Sequence, residues 1–249
     1  MIDLLKIKEE LKFFNNIKFN AENHTYSLNG TVFKESVTQW VKNFKEKFDK
    51  DFWSKYKAKE RGISQEEVLS EWDYISKEST DEIGTPFHNY IQNLLEKNIS
   101  VINYDIINPE LIKLIILAQD FNEKIKGKYI HIASEVIVGD IDMDVAGSFD
   151  QLFYNVLNDT IELWDWKTSK VIELLSYKDK RMFYPFDNCL DCNFYHYSLQ
   201  LNLYKYIIEK FTNIKIDVCR IANFNYINNE YKIYKCVDLQ EQIKTLFIR

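Results

Sequence analysis

Glycine and proline are scarce in this sequence, six and three residues among 249, and no Gly/Ser/Pro-rich stretch interrupts it. That scarcity argues against a flexible tether between separate domains. One compact unit is expected, with residues 1–80 as an N-terminal hairpin and helical elaboration on a core spanning 81–249. Cysteine is sparse too. Four cysteines in a chain of this length do not resemble a secreted disulfide framework. No apolar run approaches the length needed to cross a bilayer, and the opening "MIDLLKIKEELKFF" is charged and amphipathic, unlike a signal peptide. A cytoplasmic protein with no membrane partner is therefore expected. An excess of positive charge is also missing: the net charge is −6, which excludes a broad basic face and confines any nucleic-acid contact to a local groove.

What the chain does have is apolar and aromatic material, at 46% and 15%, enough for a sizeable core and too much for disorder. After a short first helix, "IKFNAENHTYSLNGTVF" alternates and carries an Asn29-Gly30 turn, a hairpin signal. Ser36 with Gln39, and Ser64 with Glu67, have the spacing of capping boxes that open helices. In "GTPFHNYIQNLLEK", Thr85 reads as an N-cap with Pro86 at the first helical position. "NPELIKLIILAQDFNEKIKG" has helical periodicity and ends at a glycine. Lysines crowd "KNFKEKFDKDFWSKYKAKERG", where the plain reading is a solvated helical face.

Three β-branched and aromatic runs follow, "KYIHIASEVIVG", "DVAGSFDQLFYNV" and "TIELWDWKT", and predict a three-stranded meander. The acidic "DIDMD" between the first two lacks the glycine and glutamate of a calcium loop and reads as a hairpin turn. A helix over "FYHYSLQLNLYKYIIEKF", two strands joined at Asn228-Asn229 and a short last helix complete an α/β (α+β) pattern, a mixed sheet flanked by helices.

If the turn after the second meander strand centres on Leu157-Asn158, Asp150 falls opposite Asp165, on the same face and about 5 Å away. Lys167 shares that face, whereas Trp164 and Trp166 point to the other. Two carboxylates so close repel by about 3 kcal/mol at an effective dielectric near 20. A proton, a lysine or a divalent cation such as Mg²⁺ or Mn²⁺ relieves the repulsion. A buried Asp–Lys ion pair with a solvated second aspartate satisfies the same pattern. On the following helix, Leu199, Leu203, Tyr206 and Ile207 form the apolar stripe, and Gln200 and Tyr204 lie at its polar edge.

Taken in order, "GTPFH", "SE", "GSFDQL", "DWKTSK" and "QLNLY" resemble the motifs of the PD-(D/E)XK nuclease superfamily. The nearest likeness is to its RecB-like branch, which includes phage exonucleases and the mitochondrial genome maintenance exonuclease. The motifs span residues 84–204, and the "HTYSLNG…SVTQW" entry also looks like the start of phage-type members. The resemblance implies a restriction-endonuclease-like fold. It also implies a Mg²⁺- or Mn²⁺-dependent DNA nuclease leaving 5′-phosphates in replication, recombination or repair. Exonuclease action on single-stranded DNA or free ends is favoured. A structure- or sequence-selective endonuclease and a catalytically inactive nucleic-acid-binding module are the alternatives.

Residue by residue, it implies Asp150 and Asp165 as metal-binding and catalytic carboxylates and Lys167 as the lysine that acts on water and developing charge. His88 is implied near the metal, with the Trp166 carbonyl completing its shell. Gln200, Tyr204, Thr168 and Lys170 would meet nucleic acid, and Glu135 matches an acid often found on the preceding strand. Lys167 is expected to have a depressed pKa beside metals. A recombination or replication protein partner, and a viral or phage-encoded protein acting in a host cell, are both compatible. Cys189, Cys192, Cys219 and Cys236 do not follow the cysteine order of cluster-bearing relatives, so no iron–sulfur cluster is expected.

Overall fold

The structure, a computed structural model, describes residues 2–97 and 108–247. Its first helix, α1 (Leu4–Leu11), is capped by Asp3, whose carboxylate accepts from the backbone N–H groups of Leu5 and Lys6. Strands β1 (Ile17–Asn20), β2 (Thr25–Leu28) and β3 (Thr31–Val32) form two successive hairpins in a small antiparallel sheet. Asn29 and Gly30 join β2 to β3 with φ of 51° and 86°, the double left-handed turn their chemistry favours.

The chain next adds a two-residue strand, β4 (Glu35–Ser36), and then α2 (Val37–Val41), opened by the expected Ser36–Gln39 capping box. Helix α3 (Lys50–Arg61) ends at Gly62 in the left-handed conformation, and α4 (Gln65–Lys77) starts with the Ser64–Glu67 box. The lysine-rich stretch is laced by surface pairs such as Lys55–Asp51, Lys50–Asp73 and Arg61–Glu71, as a solvated face would be.

The start of α5 (Thr85–Lys97) differs from expectation. Thr85 is not an N-cap: its backbone is already helical, and its N–H donates to the Thr80 carbonyl. A π-helical turn, Glu78–Gly84, carries α4 into α5 without a break, so the residue 80/81 boundary falls inside continuous helix. Helix α6 (Pro109–Ile125) begins at the Asn108 cap and ends just before Gly127, whose φ is 76°.

The main sheet contains β5 (Tyr129–Asp140), β6 (Val145–Asn155), β7 (Thr160–Lys167), β8 (Val218–Asn225) and β9 (Glu230–Lys235). The first three form the expected antiparallel meander. After β7, α7 (Asn193–Phe211) carries the chain to β8, which lies parallel to β7; β9 returns antiparallel, and α8 (Gln240–Thr245) follows. The sheet is mixed and helices flank both faces. Strand β5 occupies one edge of β6 along its length, and β7 takes only Gln151–Asn155 on the other. That leaves the start of β6 free to pair with β4, so the N-terminal segment contributes a strand to the central sheet.

Each sheet face has its own apolar core. Phe87, Phe121 and Phe224 pack with Trp164 and Trp166 beneath α5 and α6. Leu163 and Ile221 pack with Val37, Leu199, Leu203 and Ile207 beneath α2 and α7. The indoles are 1% exposed, and truncating either to alanine would cost about 3–5 kcal/mol. No helix among the described residues is long and apolar enough to cross a membrane.

Candidate active site

The pairs between β6 and β7 run Gln151–Trp164, Leu152–Leu163 and on to Asn155–Thr160, the register expected from the turn. The ladder then stops. Where Asp150 and Asp165 would continue it, the Asp150 Oδ2 instead accepts the backbone N–H of Trp166 at 2.6 Å. Strand alternation still sends Asp165 and Lys167 to one side and the indoles to the other. Both charged residues, with Asp150, line a cavity of about 700 Å³.

On β5, Glu135 lies between Ser134, paired with Gln151, and Val136, paired with Phe149, and so sits across from Asp150. Its backbone is left-handed, with φ of 49°, which costs a non-glycine residue of order 1 kcal/mol or more and recurs where function over-determines the backbone. Ser148 Oγ donates to Glu135 Oε2 at 3.3 Å. From α5, His88 approaches both acids: its Nδ1 is 3.6 Å from Asp150 Oδ2 and 3.8 Å from Glu135 Oε1.

The other ring nitrogen, Nε2, lies 3.1 Å from the Trp166 carbonyl oxygen. A carbonyl can only accept, so Nε2 carries a proton. In the neutral imidazole, Nδ1 then presents its lone pair to two carboxylates, an arrangement that needs a proton or a cation between them. Metal-ligating histidines are held in this way, with the far nitrogen bound to a carbonyl.

One ligand atom each from His88, Glu135 and Asp150 lie within 4.8 Å of one another. That spacing is close enough for the three groups to hold a divalent ion together. Two carboxylates and an imidazole suit Mn²⁺ at least as well as Mg²⁺. Asp165 is not one of these three and lines the same cavity beside them. Lys167 Nζ is 2.6 Å from Asp165 Oδ2, a buried ion pair.

Burial pushes the Asp165 carboxyl up to about 6, with Lys167 pulling against it and Asp150 adding to it. Burial likewise raises Asp150, against the pull of His88 and Lys167. For Lys167, burial opposes the ammonium, yet Asp165 and Asp150 outweigh it and raise its pKa. Burial also opposes the His88 imidazolium, and Asp150 and Glu135 overcome it, so His88 too is raised.

Helix α7 supports the site from below. Gln200 lines the cavity, but Tyr204 is 3% exposed and belongs to the core, not to a polar edge. The close approach of α7 to β6 requires Gly147, where a Cβ would lie 2.7 Å from the Tyr204 hydroxyl. One turn before Gln200, the ring of Tyr197 lies 4.6 Å from Lys167 Nζ in a cation–π contact. Thr168 is half-buried just after β7 and lines none of the hollows described. Lys170 lines a separate hollow with Asn223, Asn225 and Tyr234. The four cysteines are buried free thiols, and burial lifts Cys189 to about 11 and Cys236 to about 12.

Tyr197 and His24 carry no sequence signal that would place them at the site. His24 lines the cavity with Phe19 and Tyr26 from the first hairpin, and Ser79 and Thr80 reach it from the π-helical turn. For Glu135 the one local signal is an acid within a β-branched run. Comparison with protein-family models gives no match, and comparison with curated proteins gives none either.

Proposed function

We propose that this chain is a metal-dependent deoxyribonuclease of the PD-(D/E)XK type, with exonuclease action favoured. The observation that carries the reading is the meeting of His88 Nδ1, Glu135 and Asp150 around one point, with Lys167 lining the same cavity. His88, Glu135 and Asp150 would hold a divalent ion, which would supply charge neutralisation at a scissile phosphate and a more acidic water. His88 stays oriented through Nε2–H on the Trp166 carbonyl. Asp150 is fixed by the Trp166 N–H, so one residue of the dry face aligns two groups of the wet one.

Lys167 lines the cavity beside Asp165. Its part in this reading is to act on the attacking water and on charge growing on phosphate oxygens. Asp165 holds the ammonium from one side and the Tyr197 ring from another. The mixed sheet flanked by helices accords with a restriction-endonuclease-like fold, and DNA with free ends is the substrate this reading assigns. Replication, recombination or repair is the setting, inside a cell.

Linear and covalently closed circular DNA, each single- and double-stranded, incubated with Mg²⁺, with Mn²⁺ and with EDTA test the reading. Cleavage of the linear form alone, lost in EDTA, is expected. Lys167→Ala and Asp165→Ala should each lower the rate at least 100-fold. Full activity in either variant would sink the proposal, and nicking of the closed circle would replace the exonuclease by an endonuclease.

A further inference from the structure

Charge is thinly supplied around the cavity. Lys167 is the only lysine or arginine lining it among the described residues, and it is committed to Asp165. A polynucleotide seated there cannot be gripped through its phosphates by a row of basic side chains. The cavity instead offers rings. Phe19 on β1 and Tyr26 on β2 are cross-strand partners whose centroids lie 4.9 Å apart, and His24, from the turn between those strands, meets Phe19 edge-on at 5.0 Å. All three line the cavity that contains His88, Glu135 and Asp150. Despite both ring contacts, Phe19 remains 40% exposed. A single exposed phenylalanine is ordinary on a protein surface. Three rings from one hairpin, converging on the cavity of the candidate metal ligands, are not.

We propose that Phe19, braced by Tyr26 and His24, is a stacking site for one unpaired nucleobase next to the scissile phosphate, which makes single-stranded nucleic acid the substrate class. This rests on the nuclease reading of the same cavity. A base inside a duplex is already stacked and paired and has no free face for Phe19, whereas an unpaired base does. About 700 Å³ is within the range of sites that enclose a small ligand, and accommodates a nucleotide. The hydroxyls of Ser79 and Thr80 and the amide of Asn89, also in the lining, are neutral partners suited to a base edge or sugar. Stacking tolerates any base, so little sequence preference is expected.

The test is fluorescence anisotropy with the full chain, Mn²⁺ and labelled phosphorothioate-linked oligothymidylate, its abasic counterpart of equal length, and a blunt duplex. The wild-type protein should bind the abasic strand and the duplex about tenfold more weakly than oligothymidylate, the scale of losing one stacked base. Phe19→Ala should weaken oligothymidylate binding by a similar factor and leave abasic binding unchanged, while Phe19→Trp retains both. Equal affinity of the wild-type protein for base-bearing and abasic strands overturns the stacking site, and this comparison needs no variant to fold. So does an equal loss on both strands in Phe19→Ala. Cleavage by the wild-type protein, measured separately, decides the nuclease reading. Base-dependent binding without cleavage overturns that reading alone, and cleavage without base-dependent binding overturns this one alone.

Discussion

Glu162 and Asp165 stand three residues apart on β7, both buried and both facing a cation. Glu162 looks into the face packed by α6, where its carboxylate accepts from Arg220, Asn155 and the indole of Trp164. Asp165 looks into the cavity, with Lys167 at 2.6 Å as its partner. Fully bonded charges in a closed core hold a structure together, whereas under-bonded charges at a cavity keep capacity for a ligand. The same contrast separates the two sides of Trp166. Its indole packs among phenylalanines, and its backbone N–H and carbonyl serve Asp150 and His88.

That contrast can be broken by exchanging one carboxylate at a time. Glu162→Gln leaves the partly buried Arg220 without a counter-charge, and we expect a loss of about 3–5 kcal/mol by chemical denaturation. The proposed metal-dependent cleavage, assayed at a temperature where the variant is folded, should stay within a few-fold of the wild type. A cost below about 1 kcal/mol, or lost cleavage in a folded protein, would remove the distinction.

A pH series sharpens it. The carboxyl of Asp165 has its pKa raised from 3.8 to about 6, so between these values the native state holds a proton that the unfolded chain has released. Stability therefore falls as pH rises from about 4 to 6, by up to about 3 kcal/mol from this group. The raised His88 continues the fall above pH 6.5. Melting curves in EDTA should show this decline, and Asp165→Asn should flatten its lower part. A stability that rises over that interval would contradict the burial argument.

The smallest effect concerns the support beneath the site. Gly147→Ala places a methyl group 2.7 Å from the Tyr204 hydroxyl and 3.1 Å from Val37. Overpacking of this kind costs about 1–3 kcal/mol, and a second change, Tyr204→Phe, should recover part of it in denaturant titrations. No recovery would mean that the hydroxyl is not the atom in the way.

Much of the fold was legible because it depends on near neighbours. Ser36 with Gln39, Ser64 with Glu67, and Asn29-Gly30 act within a few residues, and each does what its chemistry predicts. Thr85 misled for an instructive reason: a threonine before proline reads as a helix start, but the chain arrives there already helical through the π turn. Tyr204 misled because a tyrosine near a polar edge becomes core when a glycine on the facing strand admits its ring. The site was half legible. Asp165 and Lys167 declare themselves on one strand, and the β6–β7 turn length sets Asp150 nearby, but no local pattern marks Glu135 as its neighbour.

The two-residue period of a strand was enough to divide β7 into an indole face and a charged face, since alternation follows from backbone geometry alone. Which charges meet was settled in three dimensions. His88 reaches the Trp166 carbonyl from 78 positions away because α5 packs on the sheet, and Glu135 turns toward it through a left-handed backbone. Contacts of that kind depend on how helix and sheet pack, and side-chain order along the chain does not encode their distances.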